Sequence, residues 1–273
     1  MSHQPNNPLG QATIYASLYA PELLFPIERK VSRDLLGLQN ELPFAGYDVW
    51  TAYELSWLNE KGKPLVALAE FVFPCESPFI IESKSFKLYL NSFNQTKFIS
   101  HAEVTERLEN DLSRVAGEQV KVNLLEINDS ALTKIQSLSG ICLDELDVTV
   151  EHYHPAPDLL TADNSTLVSE TVYSHLLKSN CPVTGQPDWA SVVISYKGKK
   201  INHENLLSYI ISFREHQDFH ENCVERIFCD IQSRCRPEVL TVYARYTRRG
   251  GLDINPYRST ENNLPESMRL VRQ

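Results

Sequence analysis

The chain has 273 residues, of which 42% are apolar, and a formal net charge of -9. This length and apolar content are sufficient for one large folded domain or two smaller ones. The sequence contains no apolar run of the roughly 18 residues that a membrane helix requires, and its acidic balance argues against a broad surface for nucleic-acid phosphates. We therefore expect a cytoplasmic globular protein with a small-molecule partner, no membrane contact and no nucleic acid.

The first predicted elements follow an N-terminal extension, residues 1–30, to which no element is assigned. Residues 46–58 and 64–73 are rich in aromatic and β-branched side chains, which favour strands. The polar stretch between them, residues 59–63, contains Gly62 and is typical of a turn. Together these stretches predict a β-hairpin.

Two helices are predicted next. Apolar residues recur at helical spacing between residues 86 and 93 and again between residues 104 and 115. Ser100, with Glu103 three residues later, predicts a capping box that begins the second helix, and Gly117 predicts its end. A β-β-α-α-β-β order is then completed by two extended stretches, residues 119–127 and 143–152.

The second half of the chain repeats this order. The segment Tyr89–Phe93 recurs 120 residues later as Tyr209–Phe213, and Asp111 recurs as Asp230. A linker with two prolines, residues 154–158, separates the two copies. The second copy is predicted to contain strands at 170–177 and 189–196, helices at 203–214 and 219–233, and strands at 239–246 and in the tail.

The duplication predicts an α+β protein with two modules, residues 31–157 and 158–273. The copies differ where reactive side chains lie. Ser100–His101 in the first copy occupies the place of His220–Glu221 in the second, and the first copy has no counterpart of Cys181. The repeat therefore favours one composite site built from unlike halves over two equal sites.

Cys181 lies in a stretch typical of a loop between two strands. Residues 180–189 read N-C-P-V-T-G-Q-P-D-W, in which two prolines and a glycine oppose regular structure. The six cysteines form no CxxC pair, so reduced thiols are expected. Asp188 opens the following strand and can face the thiol as a proton donor or acceptor. An inert loop cysteine remains the alternative, because a thiol needs an activating environment to be nucleophilic.

A second candidate is the start of the helix predicted at residues 219–233. Asp218 and Glu221 fit a capping box, which would give both carboxylates a structural role. His220 beside a carboxylate can instead form paired hydrogen bonds with a ligand at the helix N-terminus. The residues alone are compatible with both interpretations.

A third candidate is the segment where a strand meets a helix, residues 80–87. Ser83 is predicted to cap this helix, and Lys84 and Lys87 can lie on its solvated face. Glu82 lies between an apolar strand end and the predicted cap, so a surface role explains it poorly.

The basic stretch Arg245–Arg249, followed by Gly250 and Gly251, can bind a phosphorylated ligand or form a solvated edge.

The sequence has no GxGxxG, GxxxxGK[ST] or GxSxG motif, which argues against a Rossmann nucleotide site, a P-loop and an α/β-hydrolase. The cysteines at 223, 229 and 235 face different directions on a helix, so no metal site is predicted.

These segments together resemble a known family, the NADPH-dependent 7-cyano-7-deazaguanine reductases of queuosine biosynthesis in their two-module form. The resemblance covers nearly the whole chain. It implies tandem tunnelling-fold (T-fold) modules, each with an antiparallel sheet and two helices on one face, and a homo-oligomer with a dimer favoured. The matching segments are E-S-K-S-F-K-L-Y at residues 82–89, the loop at 181–189, His220–Glu221 and Arg249–Gly250.

The resemblance also implies a reaction and its residues. Cys181 is expected to attack the nitrile carbon and form a covalent thioimidate, while Asp188 donates a proton to the nitrogen. NADPH is expected to serve as co-substrate for two hydride transfers, without a metal. The residues expected to bind the deazaguanine are Ile81, Glu82, Ser83, His220 and Glu221. Those expected to contact NADPH are Ser83, Lys84, Arg249 and Gly250.

Two other functions are compatible with the reactive residues. A cysteine hydrolase acting on a nitrile or amidine would form the same thioimidate and let water attack it. A catalytically silent purine-binding module would bind the base without a covalent adduct. Only the reductase would consume NADPH.

Overall fold

The computed structural model describes residues 15–38, 41–128 and 134–273. Of the predicted N-terminal extension, residues 1–14 lie outside this range. The chain divides into two compact units. Within the described residues, the first unit comprises 15–31, 49–128 and 248–253, and the second comprises 32–38, 41–48, 134–247 and 254–273.

The described residues form twelve strands and five α-helices, a mixed α+β structure. No helix among them is long and apolar enough to cross a membrane. The strands are β1 (Pro26–Glu28), β2 (Ala45–Leu58), β3 (Pro64–Pro74), β4 (Phe79–Ile81), β5 (Lys121–Leu125), β6 (Ile135–Gln136), β7 (Ile141–Cys142), β8 (Ala162–Asn180), β9 (Pro187–Ile201), β10 (Val239–Tyr246), β11 (Leu252–Ser259) and β12 (Arg269–Leu270). The helices are α1 (Arg29–Leu35), α2 (Ser83–Asn91), α3 (His101–Ala116), α4 (His203–Ile211) and α5 (His220–Cys235).

The first unit contains a sheet with the strand order β5-β3-β2, and β1 pairs separately with β4. Apolar side chains of α2 and of these strands fill its core. The ring of Phe86 on α2 meets Trp50 of β2 and Phe71 of β3 edge to face, at centroid distances of 5.2 and 5.0 Å. The predicted ends of the next helix, α3, are confirmed. The Ser100 side chain accepts from the Glu103 N–H, and Gly117 ends the helix in the left-handed conformation.

The second unit contains a sheet with the strand order β11-β10-β9-β8-β7. Strands β8 to β11 pair antiparallel, whereas the short β7 joins β8 in parallel. Helices α4 and α5 present apolar faces with fully buried Leu206, Ile210, Val224 and Ile231. The two short strands β6 and β12 form a separate parallel pair.

The sequence repeat corresponds to repeated side-chain contacts. In the first unit the Tyr89 hydroxyl donates to Asp111 Oδ2 at 2.8 Å. In the second, the Tyr209 hydroxyl donates to Asp230 Oδ2 at 2.6 Å. Each tyrosine ring also packs edge to face on the phenylalanine four residues later, at 5.2 and 5.4 Å. The matched residues therefore make the same contact twice, tying the first helix of each pair to the second.

The strand predicted at residues 143–152 is wrong. The backbone N–H of Leu143 still donates to Tyr173 of β8, but the chain then turns. The reason is Asp144, whose carboxylate accepts hydrogen bonds from the Ser174 hydroxyl and from the His175 N–H. Because the Asp144 carboxylate accepts from the backbone N–H of His175, that N–H cannot pair with a longer β7, and the ladder between β7 and β8 ends.

Candidate active site

The Cys181 loop, residues 181–186, closes the hairpin between β8 and β9. The Cys181 N–H donates to the Gln186 carbonyl at 2.8 Å, and the Gly185 N–H donates to the Cys181 carbonyl at 3.0 Å. Gly185 has a φ of +69°, which a residue with a Cβ rarely adopts. Cys181 itself is half-buried. The loop thus holds a partly accessible thiol in a defined, hydrogen-bonded turn.

A short bridge joins this loop to the segment that precedes α5. The Asn180 N–H donates to the His216 carbonyl at 2.8 Å, and the Asp218 N–H donates to the Asn180 carbonyl at 3.1 Å. Since Asn180 is adjacent to Cys181 and Asp218 is two residues before His220, the bridge brings the thiol loop next to the N-terminus of α5. The sequence predicted both segments, and the structure brings them together.

Asp188, His220 and Tyr246 form a buried group beside the loop. Asp188 pairs across the β-ladder with Ser179, and its Oδ2 lies 3.4 Å from Nε2 of His220. Their side chains are 4% and 13% exposed. The imidazole stacks on the Tyr246 ring with a centroid distance of 3.8 Å and an angle of 15°. Among the described residues, buried Nδ1 of His220 has no hydrogen-bond partner. The group can therefore hold a proton and present a second ring nitrogen to a ligand.

The capping box predicted for Asp218 and Glu221 is wrong. The N-cap residue of α5 is Phe219, and no side chain caps the helix. Asp218 instead accepts from the Phe219 N–H and from the side-chain amide of Asn222, through Oδ1. Glu221 is 2% exposed. A surface cap therefore does not account for Glu221, and a buried carboxylate is retained in the first turn of α5, where the helix dipole favours negative charge.

The other cysteines are poorer candidates for a nucleophile. Cys75 and Cys223 are buried, and burial raises the pKa of the Cys223 thiol well above its usual range. Burial also raises the pKa of Cys229 to about 12 and that of Cys235 to about 11. Cys142 is exposed on β7, outside the group of Asp188 and His220. Because the thiolate is the reactive form, these environments favour Cys181.

The N-cap of α2 is Glu82, so the prediction that Ser83 caps this helix is wrong. The two carboxylate oxygens of Glu82 accept hydrogen bonds from the N–H groups of Lys84 at 2.8 Å and Ser85 at 2.7 Å. The side chain is fully buried, and this burial raises the pKa of the Glu82 carboxyl against the opposing effect of the two N–H groups. Ile81, the last residue of β4, is also buried. Each Glu82 oxygen keeps the capacity for a second hydrogen bond.

The residues predicted to contact NADPH include a glycine turn that lies against α2. Gly250 has a φ of +59°, and a Cβ placed on it would lie 3.3 Å from Cδ of Lys87. The turn is closed by the Arg249 N–H, which donates to the Leu252 carbonyl at 2.9 Å. Lys84 lies one helical turn before Lys87 on α2. The first unit thus brings the predicted lysine and the predicted turn to the same region.

Arg248 adds a fourth cation to this region, after Lys84, Lys87 and Arg249; residues 248–251 are called the basic turn. Its guanidinium lies 4.5 Å from the centre of the Tyr53 ring, and the Tyr53 hydroxyl donates to Asp253 at 2.8 Å. The ring holds the guanidinium by a cation–π contact. Glu54 lies against Gly251, whereas cations lie around Gly250, so the Gly250 side of the turn fits the phosphates of NADPH. In the part of the chain that the structure describes, no group of three or more His, Cys, Asp or Glu could hold a metal ion.

Comparison with known proteins decides the family. The model described as nitrile reductase, 7-cyano-7-deazaguanine-reductase N-terminal region, matches residues 15–124, and a model described as QueF-like protein matches residues 187–264. A curated NADPH-dependent 7-cyano-7-deazaguanine reductase of Dechloromonas aromatica is 58% identical over 98% of this chain and 95% of its own length. The chain belongs to this reductase family.

Further relatives carry the same name. The Hydrogenovibrio crunogenus reductase is 58% identical over 97% of this chain and 96% of its own length, and that of Bordetella avium is 57% identical over 97% and 98%. A solved structure titled as the archaeosine synthase QueF-Like in the apo form covers 38% of this chain and 100% of its own, at 17% identity and a TM-score of 0.31.

The two reductase-family matches divide the candidate residues unevenly. The first contains Ile81 to Lys84, and the second contains Asp188, His220, Glu221 and the basic turn. Cys181 lies between the two matched segments. Sequence reasoning did not single out Tyr246, whose ring packs on His220. No local pattern links two residues 26 positions apart, so only the folded chain reveals this contact.

Proposed function

We propose that this protein reduces the nitrile of 7-cyano-7-deazaguanine to an aminomethyl group with NADPH, through a covalent thioimidate on Cys181. The main support is the buried pair of Asp188 and His220 beside a constrained thiol loop, in a chain 58% identical to a named reductase. A tandem T-fold arrangement and a homodimer belong to the same proposal and follow from the family resemblance.

In the first step the Cys181 sulfur attacks the nitrile carbon. A C–S bond forms, one π bond of the nitrile breaks, and its electron pair moves to nitrogen. Asp188 gives that nitrogen a proton, which leaves a C=N bond in the thioimidate. His220, 3.4 Å from Asp188, holds the proton within the buried pair before the transfer. A positioned acid of this kind contributes about 10²- to 10⁴-fold to the rate.

When bound, NADPH would supply one hydride to the substrate carbon in each of two reductions. The first hydride would convert the thioimidate C=N to a C–N single bond, and its nitrogen would take up a proton from solvent. The nitrogen lone pair would then re-form C=N as the C–S bond breaks and Cys181 departs as a thiolate, which restores the nucleophile, and the second hydride would reduce this C=N to the amine. The basic turn and Lys84 would hold the cofactor phosphates, and Ser83 would donate a hydrogen bond. Gly250 permits close approach because it carries no side chain.

The base itself would be oriented by buried carboxylates. The amidine edge of a deazaguanine carries hydrogen-bond donors, which a carboxylate accepts in two parallel bonds. Glu82 and Glu221 are both buried and suit this role. His220 would contribute its Nδ1, while Ile81 and Ser83 would contact the ring.

The experiment that tests the function follows NADPH absorbance after 7-cyano-7-deazaguanine is added. We expect consumption of two NADPH for each amine formed, identified by mass spectrometry. An amide or acid product without NADPH consumption would contradict the proposal, and so would binding without any product.

Glu82 serves both as a helix cap and, in this proposal, as a substrate ligand. Loss of the cap costs about 0.5 to 2 kcal/mol, so Glu82→Ala would lower stability as well as binding. We therefore choose Glu82→Gln, which keeps one acceptor. We expect substrate binding to weaken by about 10- to 150-fold, corresponding to about 1.5 to 3 kcal/mol for a charged hydrogen bond.

Ser100→Ala is the matched control for this variant, because it removes the cap of α3 in the same unit and touches no proposed ligand. Thermal melting should report a loss of stability in this control, while tryptophan fluorescence reports unchanged substrate affinity. Wild-type affinity in folded Glu82→Gln would remove Glu82 from the substrate site.

Arg249 is proposed to favour NADPH over NADH by contacting the additional phosphate. Arg249→Ala should raise KM for NADPH by about 10-fold and leave the weak use of NADH nearly unchanged. Steady-state kinetics with both cofactors provide the measurement. Arg114→Ala, an exposed arginine of α3 in the same unit, serves as control. Equal losses with the two cofactors would show that Arg249 is structural.

A further inference from the structure

Tyr246 lies at the end of β10, where hydrogen bonds to side chains replace the backbone ladder between β10 and β11. The ladder runs from Thr241 opposite Ser259 to Tyr243 opposite Tyr257. The next residue of β11 along this direction, Pro256, has no N–H to donate. Beyond it, the Tyr246 N–H donates to Oδ1 of Asn255 at 3.2 Å.

The carbonyl of Tyr246 is bound by Gln273. Nε2 of this side chain donates to the Tyr246 carbonyl at 3.0 Å and to Oδ1 of Asn255 at 2.9 Å. The backbone of Tyr246 is therefore held on both its N–H and its carbonyl by side chains that replace the missing ladder.

The orientation of the Gln273 amide is fixed by its other neighbour. Oε1 of Gln273 accepts from Nε of Arg245 at 2.9 Å and from the Leu270 N–H at 3.3 Å. Arginine has only donors, so the amide oxygen must face Arg245 and the amide nitrogen must face Tyr246. Gln273 is 4% exposed and Arg245 is 2% exposed. Burial makes an unmatched donor or acceptor costly here, which keeps the arrangement unique.

The held tyrosine in turn constrains His220. The two rings are stacked at 3.8 Å and 15°, so the plane of the imidazole follows that of Tyr246. Nε2 of His220 lies 3.4 Å from Oδ2 of Asp188, slightly beyond the range of about 2.7–3.2 Å typical of N–H···O hydrogen bonds. A small rotation of the imidazole would therefore decide whether the two groups come into hydrogen-bond contact or move apart. The geometry of the proton-donating pair thus depends on where Tyr246 is held.

We propose that Gln273 is a positioning residue for the reduction, acting through Tyr246 on the plane of His220 and hence on Asp188. This inference rests on the proposed function, in which Asp188 protonates the nitrile nitrogen. It adds to that function a residue that touches neither substrate nor cofactor. The expected signature is a loss in the chemical step with substrate binding retained.

Gln273→Glu tests the proposal because it keeps an acceptor for Arg245 and removes the donor to Tyr246. We expect kcat to fall on the order of 10-fold while KM for 7-cyano-7-deazaguanine stays within about twofold. Gln136→Glu is the matched control. It makes the same change at an exposed position of β6, which pairs with Leu270 of the segment that carries Gln273. This control should keep wild-type kcat and KM.

Two variants of Tyr246 provide a test that does not require Gln273→Glu to fold. Tyr246→Leu removes the ring stack, whereas Tyr246→Phe retains it. The Phe variant should therefore turn over on the order of 10-fold faster than the Leu variant, with similar KM. In addition, Gln273→Glu should cost little more once Tyr246→Leu is present, because both act on the same contact.

Adduct formation by the wild-type protein separates this inference from the proposed function. No adduct on wild-type Cys181 would overturn the function itself. With the wild-type adduct present, equal kcat for Gln273→Glu and Gln136→Glu would overturn the inference alone. Equal rates for the two Tyr246 variants, or fully additive losses in the double variant, would also overturn it.

Discussion

Cys181→Ala should bind 7-cyano-7-deazaguanine and turn none of it over. The substitution removes only the sulfur of a half-buried residue whose two loop hydrogen bonds run through its backbone N–H and carbonyl, so the loop should keep its shape. Without the thiolate, the nitrile carbon stays unactivated and no thioimidate forms. NADPH consumption should fall to the background rate, while fluorescence quenching still reports substrate binding.

Cys142→Ala is the control for this loss, because Cys142 is the exposed cysteine on β7. It should retain wild-type turnover. The buried Cys223 is a poor substitute for Cys181, since its thiol is shielded from a ligand and burial raises its pKa. Turnover in Cys181→Ala, or loss of turnover in Cys142→Ala, would contradict the assignment of the nucleophile.

Asp188→Asn should lower kcat by about 10²- to 10⁴-fold, the usual contribution of a general acid. The amide has nearly the shape of the carboxyl group and can still contact His220, but it cannot transfer a proton to the nitrile nitrogen. KM for the substrate should change little, because Asp188 transfers a proton during adduct formation and does not bind the deazaguanine base. Single-turnover kinetics of adduct formation would place the loss in that step.

The control for this variant is Asp144→Asn, which removes another carboxylate of the second unit. Asp144 binds Ser174 and His175 of β8 and has no proposed part in the reaction. Its loss should lower thermal stability and leave kcat unchanged. A wild-type rate of adduct formation in Asp188→Asn would show that another group supplies the proton.

The fold was predictable where a local pattern is strong. The hairpins around residues 59–63 and the Cys181 loop, and the helices α2 to α5, follow from alternation and helical periodicity, which act within a few residues. The strand predicted at 143–152 is not formed. Whether it pairs depends on Asp144 and on its neighbours in β8, and the sequence of the stretch contains no information on that partner.

The two glutamates illustrate the same limit at the candidate site. Glu82 is hard to explain from the sequence as a surface residue and is a helix cap, whereas Glu221 is compatible from the sequence with a cap or a ligand site and forms no cap. Both precede apolar helical stretches, so their sequence surroundings are alike. The difference arises from backbone direction and burial, which long-range packing sets. Tyr246 and Gln273 are not predicted from the sequence either, because their contacts also depend on long-range packing.

The most direct test of the account is peptide mapping of the wild-type protein mixed with 7-cyano-7-deazaguanine in the absence of NADPH. We expect one substrate mass added to the peptide that contains Cys181, and loss of this mass with release of the amine when NADPH is added. An unmodified Cys181 peptide, an adduct on another cysteine, or an adduct that persists with NADPH would contradict it.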